Sequence, residues 1–298
     1  MNQQPGILPG IPRVARYLSF SVRTNSTKDS VLQSLRTLAI DNRCVVGVGA
    51  PLILHCGGSL EKLRTFPPLS GPGVQIPSTQ HALWCWLRGD DQGELVNRGN
   101  SIVAALSGTL QLEHVVDGFK YGDGEFGLDL TGYEDGTENP VENEAVKAAL
   151  LQGSGAGLDG SSFVAVQQWS HDLATFNVLP GRDQDDIIGR RKSDNEELEN
   201  PPASAHTKRT EQESFDPEAF VLRRSMPWAT ASGQGLVFVA FGHSLDAFEA
   251  QLTRMAGLED GIPDALFRFS QPINGSYYWC PPVVRGKLDI SALGAFAI

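Results

Sequence analysis

The sequence predicts an α+β fold in which one β-α-β-β-α-β order runs twice along the chain. Strand-like and helix-like stretches alternate in that order over residues 14–121. The order returns, less cleanly, over residues 161–282. ALWCWLRGDDQGELVNRGNSIV and GLVFVAFGHSLDAFEAQLTRMA occupy corresponding places in the two halves, alike in pattern rather than in residues. This order is the split βαβ, or ferredoxin-like, unit. The expectation is a tandem pair of ferredoxin-like domains, residues 1–140 and 141–298, each an antiparallel sheet with helices on one face.

In VARYLSFSV (14–22), Leu18, Phe20 and Val22 alternate with serines, the mark of a half-buried strand. Val31, Leu32, Leu35 and Leu38 recur at helical spacing in residues 27–41. CVVGVGAPLIL (44–54) reads as a short buried strand, and residues 57–78 as a Gly/Pro-rich connector. HALWCWLRG (81–89) is a strand, residues 91–107 a helix and QLEHVVDGFKY (111–121) a strand. In the second half, SSFVAVQQW (161–169) is a strand and HDLATFNVL (171–179) a helix. GLVFVAFG (235–242) is a strongly apolar strand. The helix over 244–256 takes Ser244 as its N-cap and sets Leu245, Phe248, Leu252 and Met255 on one face. NGSYYWCPP (274–282) closes with a strand. Residues 190–216 interrupt the pattern as a long polar stretch holding one histidine, His206.

The 298 residues carry 41% hydrophobic side chains, enough for ordinary cores, and a net charge of −11. So acidic a chain is not built to neutralise phosphates, so no nucleic-acid or membrane partner is expected. MNQQPGILPG lacks the regions of a secretory signal, and no apolar run is long enough to span a bilayer. Cys44, Cys56, Cys85 and Cys280 are scattered, with no CxxC pair. The reading is a soluble, reduced, cytoplasmic protein.

Six histidines show no HxH or HExxH spacing, which disfavours a multi-histidine metal site. His55, His81, His114, His171 and His243 flank strand or helix patterns and read as structural. No nucleophile elbow or Walker loop is present. Three features remain. GYEDGTENP (132–140) holds Asp135 between Gly132 and Gly136 on a tight turn, where a carboxylate can be aimed at a ligand. His206 has no core to fill. Arg223 and Arg224 stand just before a strand-like MPW. A lone histidine suits a cofactor that brings its own donors, as haem does. A carboxylate and an arginine on the opposite face would form a polar pocket suited to peroxide activation. A structural Asp–Arg ion pair is the alternative.

These blocks resemble the dye-decolourising peroxidases, B-type. GYEDGTENP resembles the family's GxxDGT-x-NP loop, and DDIIGRRKSDNEELEN (185–200) the segment preceding its axial histidine. ASAHTKR (203–209) is similar to the segment bearing that histidine, and VLRRSMPW (221–228) to the distal arginine segment. The resemblance covers nearly the whole chain. It implies a tandem ferredoxin-like fold with b-type haem iron in the C-terminal domain, His206 as the iron ligand, and Asp135 and Arg223 as distal catalytic residues. It also implies Asp264 as the hydrogen-bond acceptor of His206, and Gly136, Thr137, Arg190 and Ser225 among the residues about the haem. Ser225 stands where many members have Asn, with shorter reach and no amide donor.

The resemblance further implies reduction of hydrogen peroxide through a ferryl intermediate, with oxidation of dyes, phenols or other small organic reductants. Asp135 would move the peroxide proton, and Arg223 would stabilise the charge that develops. Tyr133, Trp169 and Trp228 are candidate electron relays, with packing as the simpler role. A haem-handling protein is the alternative function. A homo-oligomer is expected from the family. No targeting tail is read beyond LGAFAI, so packaging in a protein shell is not expected.

Overall fold

Apolar runs rich in β-branched and aromatic residues form the strands. The computed structural model describes residues 2–293, so residues 294–298 of the LGAFAI ending lie outside the described residues. The main strands are β1 (Val14–Val22), β2 (Cys44–Val48), β3 (Leu83–Gly89) and β4 (Leu110–Phe119) in the first half. The second half has β5 (Ser162–His171), β6 (Met226–Thr230), β7 (Gly233–Gly242) and β8 (Ser276–Cys280). Every pairing among them is antiparallel. The order is β4-β1-β3-β2 in the first half and β8-β5-β7-β6 in the second. The halves then join, β2 to β8 and β6 to β4, so the circuit of pairings closes.

β3 shows why Leu83–Leu87 is an unbroken apolar run: both of its faces are buried. Trp84 and Trp86 cluster with Tyr17, Tyr278 and Phe241. Leu83, Cys85 and Leu87 cluster on the other face with Leu18, Phe20 and Val46. The helices are α1 (Lys28–Thr37), α2 (Ala50–His55), α3 (Gln92–Leu106), α4 (Glu142–Ala149), α5 (Leu173–Asn177), α6 (Gly181–Ile188), α7 (His206–Arg209) and α8 (Asp246–Met255). α4 sets Ala145 and Ala149 in the Trp84 cluster, and α5 and α6 set Phe176 and Ile187 in a third, smaller cluster. α1, α2, α3 and α8 cover the Leu83 face. Their apolar residues there include Val31, Leu95 and Phe248. Thr27 and Ser30 form a reciprocal capping box at α1.

Three local expectations are corrected. CVVGVGAPLIL is not one strand: β2 ends at Val48, and Gly49 opens α2 with a proline in its first turn. HDLATFNVL is helical only over α5; His171 still belongs to β5. Ser244 is not the N-cap of α8. That position is Leu245, and the Ser244 hydroxyl accepts a hydrogen bond from the Asp246 amide at 3.2 Å. The polar stretch 190–216 is less irregular than expected, with a bridge between Arg190 and Glu197 and helix α7. Among the described residues, no helix is long and apolar enough to cross a membrane.

The junction of β2 with β8 is sparse, with Val48 opposite Trp279 as its register pair. Gln4 fills the gap. Its Oε1 accepts from the Val46 amide at 2.7 Å, and its Nε2 donates to the Val46 carbonyl at 2.8 Å and the Pro281 carbonyl at 3.1 Å. Gln4 is fully buried, so removing its amide leaves backbone groups unpaired without water. Gln4→Ala is expected to lower the unfolding free energy by about 2–4 kcal/mol in urea denaturation. An unchanged midpoint would show that the seam does not need Gln4.

Candidate functional site

The loop that carries Asp135 is built by its own backbone. The Gly132 amide donates to the Asp129 carbonyl at 2.8 Å, and the Asp135 amide to the Gly127 carbonyl at 3.1 Å. Gly136 has φ +100°, a left-handed conformation open to glycine. A Cβ there would lie 2.9 Å from Asn139 Nδ2. That close approach lets Asn139 reach the short strand Leu222–Arg223, which pairs with β7. Asn139 Oδ1 accepts from the Arg223 amide at 2.7 Å, and Asn139 Nδ2 donates to the Arg223 carbonyl at 3.2 Å. The acid loop and the arginine strand are thereby tied together.

Strand alternation sends Arg223 and Arg224 to different surroundings. Arg224 is buried, and its guanidinium donates to the carbonyls of Leu8, Pro9 and Arg223. The Arg223 guanidinium makes no hydrogen bond or ion pair among the described residues. It lines three adjoining cavities, of about 230, 80 and 180 Å³, and Asp135 lines the same three. Asp135 keeps partial exposure because it faces this space, yet protein surrounds its carboxyl. Burial pushes its pKa up; Arg223 and His206 pull it down, and the Asp129 charge adds to the rise.

His206 opens α7 and lines the second and third cavities. Its Nδ1 lies 2.7 Å from Oδ2 of Asp264, a carboxylate shut off from solvent. Asp264 Oδ1 also accepts from the Leu266 amide at 2.8 Å. Arg209 clamps α7 to the end of α8 through the Arg254 carbonyl, and to the chain beyond it through both oxygens of Asp260 at 2.7 and 2.8 Å. With Nδ1 engaged, Nε2 is the ring nitrogen left for a ligand. Anchoring of this kind fixes the tautomer and raises ligand basicity.

The remaining expected residues divide. Gly136 lines the first and third cavities, and Thr137 and Arg190 the third. The Arg190 guanidinium is already taken by Glu138, Glu197 and the Asn195 carbonyl. Ser225 is buried on the first cavity, with its Oγ 3.4 Å from the Val239 amide. Tyr133, Trp169 and Trp228 are all buried. The Tyr133 hydroxyl bonds Asp185, and Trp228 Nε1 donates to the Trp169 carbonyl. His171, expected to be structural, lines the second cavity between Asp129 (3.1 Å) and Ser270 (2.7 Å). Burial raises the Asp129 carboxyl, but His171 and Thr131 outweigh it and hold it below the usual range. Sequence spacing offers no signal for this trio.

A haem fits these residues. The second cavity has apolar walls that include Leu236, Phe238 and Leu252. Gln167 Nε2 and Trp169 Nε1, on residues lining it, are buried donors without partners among the described residues, as a polar edge of a bound group would require. Together the cavities fall within the roughly 300–1,000 Å³ of small-ligand and cofactor sites.

A family model described as Dyp-type peroxidase, C-terminal, matches residues 127–285. A dye-decolorizing peroxidase of Rhodococcus erythropolis is 30% identical over 245 residues, 80% of this chain and 71% of that one. A Dyp-type peroxidase structure from Shewanella oneidensis is similar at a TM-score of 0.85 and 28% identity, covering 99% of each chain. A DypB variant from Rhodococcus jostii RHA1, solved in complex with heme, is similar at a TM-score of 0.82 and 27% identity, covering 93% of this chain and 95% of that one.

Asn139→Ala is expected to cost about 1–3 kcal/mol in urea denaturation, because the Arg223 amide loses its partner. The raised Asp135 pKa gives a second expectation. The folded state holds that proton more tightly than the unfolded state. Its stability therefore falls as pH climbs from the ordinary carboxylate range to the raised value. In haem-free protein, Asp135→Asn should melt higher than the wild type at neutral pH and equally at pH below the carboxylate range. A neutral-pH melting point no higher than the wild type's would contradict this.

Proposed function

The chain belongs to the Dyp-type peroxidase family, a haem peroxidase family, and we propose that Asp135, Arg223 and His206 are its working residues. The protein reduces hydrogen peroxide at the expense of reducing substrates such as dyes. The observation that carries the assignment is the shared cavity. A carboxylate and an unpaired arginine line the same space as a histidine whose other ring nitrogen is anchored. In this reading His206 Nε2 holds the haem iron, and Asp264 orients the ring. A bound haem supplies the iron that activates peroxide and stores its oxidising equivalents.

The chain's own residues then handle protons and charge. The Asp135 carboxylate accepts the proton from one peroxide oxygen and delivers it to the other. A carboxyl pushed up by burial is better matched to that task than an ordinary one. The Arg223 guanidinium, free of hydrogen-bond and ion-pair partners among the described residues, stabilises negative charge on the departing oxygen. Ser225 leaves the distal side without an amide donor at that position. Gly136 and Thr137, which line the third cavity, would border a bound haem, and Arg190 would hold Glu138 beside it.

Three finer points belong to the same proposal. The 93% coverage by DypB supports the B-type assignment. The strand orders β4-β1-β3-β2 and β8-β5-β7-β6 support two ferredoxin-like units meeting near Pro140. Four free, buried cysteines support a reducing, cytoplasmic setting. A homo-oligomer, implied by the family, is checked by light scattering. The haem-handling alternative is not favoured, since the related proteins are named peroxidases.

Rapid-mixing measurement of peroxide consumption tests the residue roles. Asp135→Asn and Arg223→Leu should each slow it by about 10²–10³-fold. His206→Ala should lose the Soret band. Near wild-type rates in both distal variants would sink the Asp135–Arg223 assignment.

A further inference from the structure

Beside the inner cavities lies a larger, open groove of about 570 Å³ on the outer side of the Asp135 loop. It shares Thr137, Glu138 and Glu213 with the third cavity. One thickness of loop therefore separates it from the site. Its floor is apolar: Phe220, Pro217 and Val141, the last 68% exposed. Three apolar side chains meeting in one groove form a patch on which an apolar face can lie.

The rim is acidic. Glu138 is paired with Arg190, and Glu144 with Lys147. Glu213 and Glu218 have no ion-pair partner among the described residues, so the groove presents two uncompensated carboxylates. Lys147 and His243 are its basic residues, and the Lys147 charge is matched by Glu144. The chain's net charge of −11 adds long-range attraction for cations.

We propose that this groove receives the reducing substrate, and that the substrate is an aromatic organic cation. Its ring lies on Phe220, Pro217 and Val141, and its positive group faces Glu213 and Glu218. The proposal rests on the peroxidase reading. For a phenolic donor the reaction balances as one hydrogen peroxide and two phenols giving two waters and two phenoxyl radicals. Each phenol loses one electron and one proton. A haem held by His206 would fill the inner cavities, which leaves the adjoining groove as the place for the ring.

Two phenols isolate the charge, because aliphatic carbons separate it from the ring: tyramine, a cation, and 3-(4-hydroxyphenyl)propionate, an anion. The wild-type holoenzyme should oxidise tyramine with the higher kcat/KM at low salt, and added salt should shrink the preference. Glu213→Gln and Glu218→Gln should each lower kcat/KM for tyramine roughly three- to fivefold. The anionic phenol should be unaffected or gain, and for Glu218→Gln, which lies outside the inner cavities, the rapid-mixing rate of reaction with peroxide in the absence of reductant should stay at the wild-type value. Saturation-transfer NMR of tyramine on the resting enzyme, without peroxide, should weaken in the double variant. An unchanged preference in the double variant, or a wild type that favours the anion, overturns the proposal. Failure of the peroxidase reading would show instead as absent peroxide consumption, and the NMR arm would still decide whether the groove binds the cation.

Discussion

The candidate site depends on one side-chain amide. Asn139 bonds both the N–H and the C=O of Arg223, so the acid loop and the arginine strand move as one piece. A loop has few contacts of its own, and a carboxylate on it is positioned only as well as the loop is anchored. Here the anchor is the residue that needs aligning. Gly136 makes this possible, since any side chain there would press on the Asn139 amide. Without the clamp, Asp135 and Arg223 would be placed by separate segments, 88 positions apart on numbering alone.

The second constraint is that these two charges do not neutralise each other. A structural ion pair was the simpler reading of an aspartate and an arginine, yet no Asp135–Arg223 salt bridge forms among the described residues. A carboxylate in contact with a guanidinium would be held low and would resist taking a proton. Burial wins at Asp135 and the carboxyl rises. Arg224 shows the opposite solution. Backbone carbonyls surround it, and burial lowers its pKa to about 10. One arginine of the pair anchors the N-terminal segment, which leaves the other free to face the cavity.

Much of this was legible locally. Asp135, His206 and Arg223 each stand in a short motif, and the alternation in β1 and the apolar runs of β3 and β7 read directly as strand. What was not legible depends on approaches between distant segments. Gln4 completes the edge of β2 across 42 positions, and no pattern near either residue announces it. Asn139 lay inside the motif already singled out, but its role needs the position of Arg223. His171 looked structural because it flanks a strand; only the folded chain sets it between Asp129 and Ser270. The misread run 44–54 failed for a local reason. Apolar periodicity cannot separate strand from buried helix over so short a stretch, and the proline after Gly49 was the signal to weigh.

The two-residue period of β7 explains how one strand serves two environments. Leu236 and Phe238 face the second cavity, while Val237, Val239 and Phe241 belong to the aromatic cluster on the other side. That cluster holds Trp84, Trp86, Tyr17 and Tyr278, side chains that a strong oxidant could attack. Two features make Tyr17, Tyr278 and Trp86 poorer electron sources. Burial pushes the Tyr17 and Tyr278 hydroxyls far up, so neither readily sheds the proton that tyrosine oxidation releases. The Arg88 guanidinium lies 4.5 Å from the Trp86 ring centroid, and a nearby cation opposes removal of an electron from that ring. β7 thus separates the cavity from an oxidisable core. On the other side, the Asp135 loop stands between the site and the acidic groove.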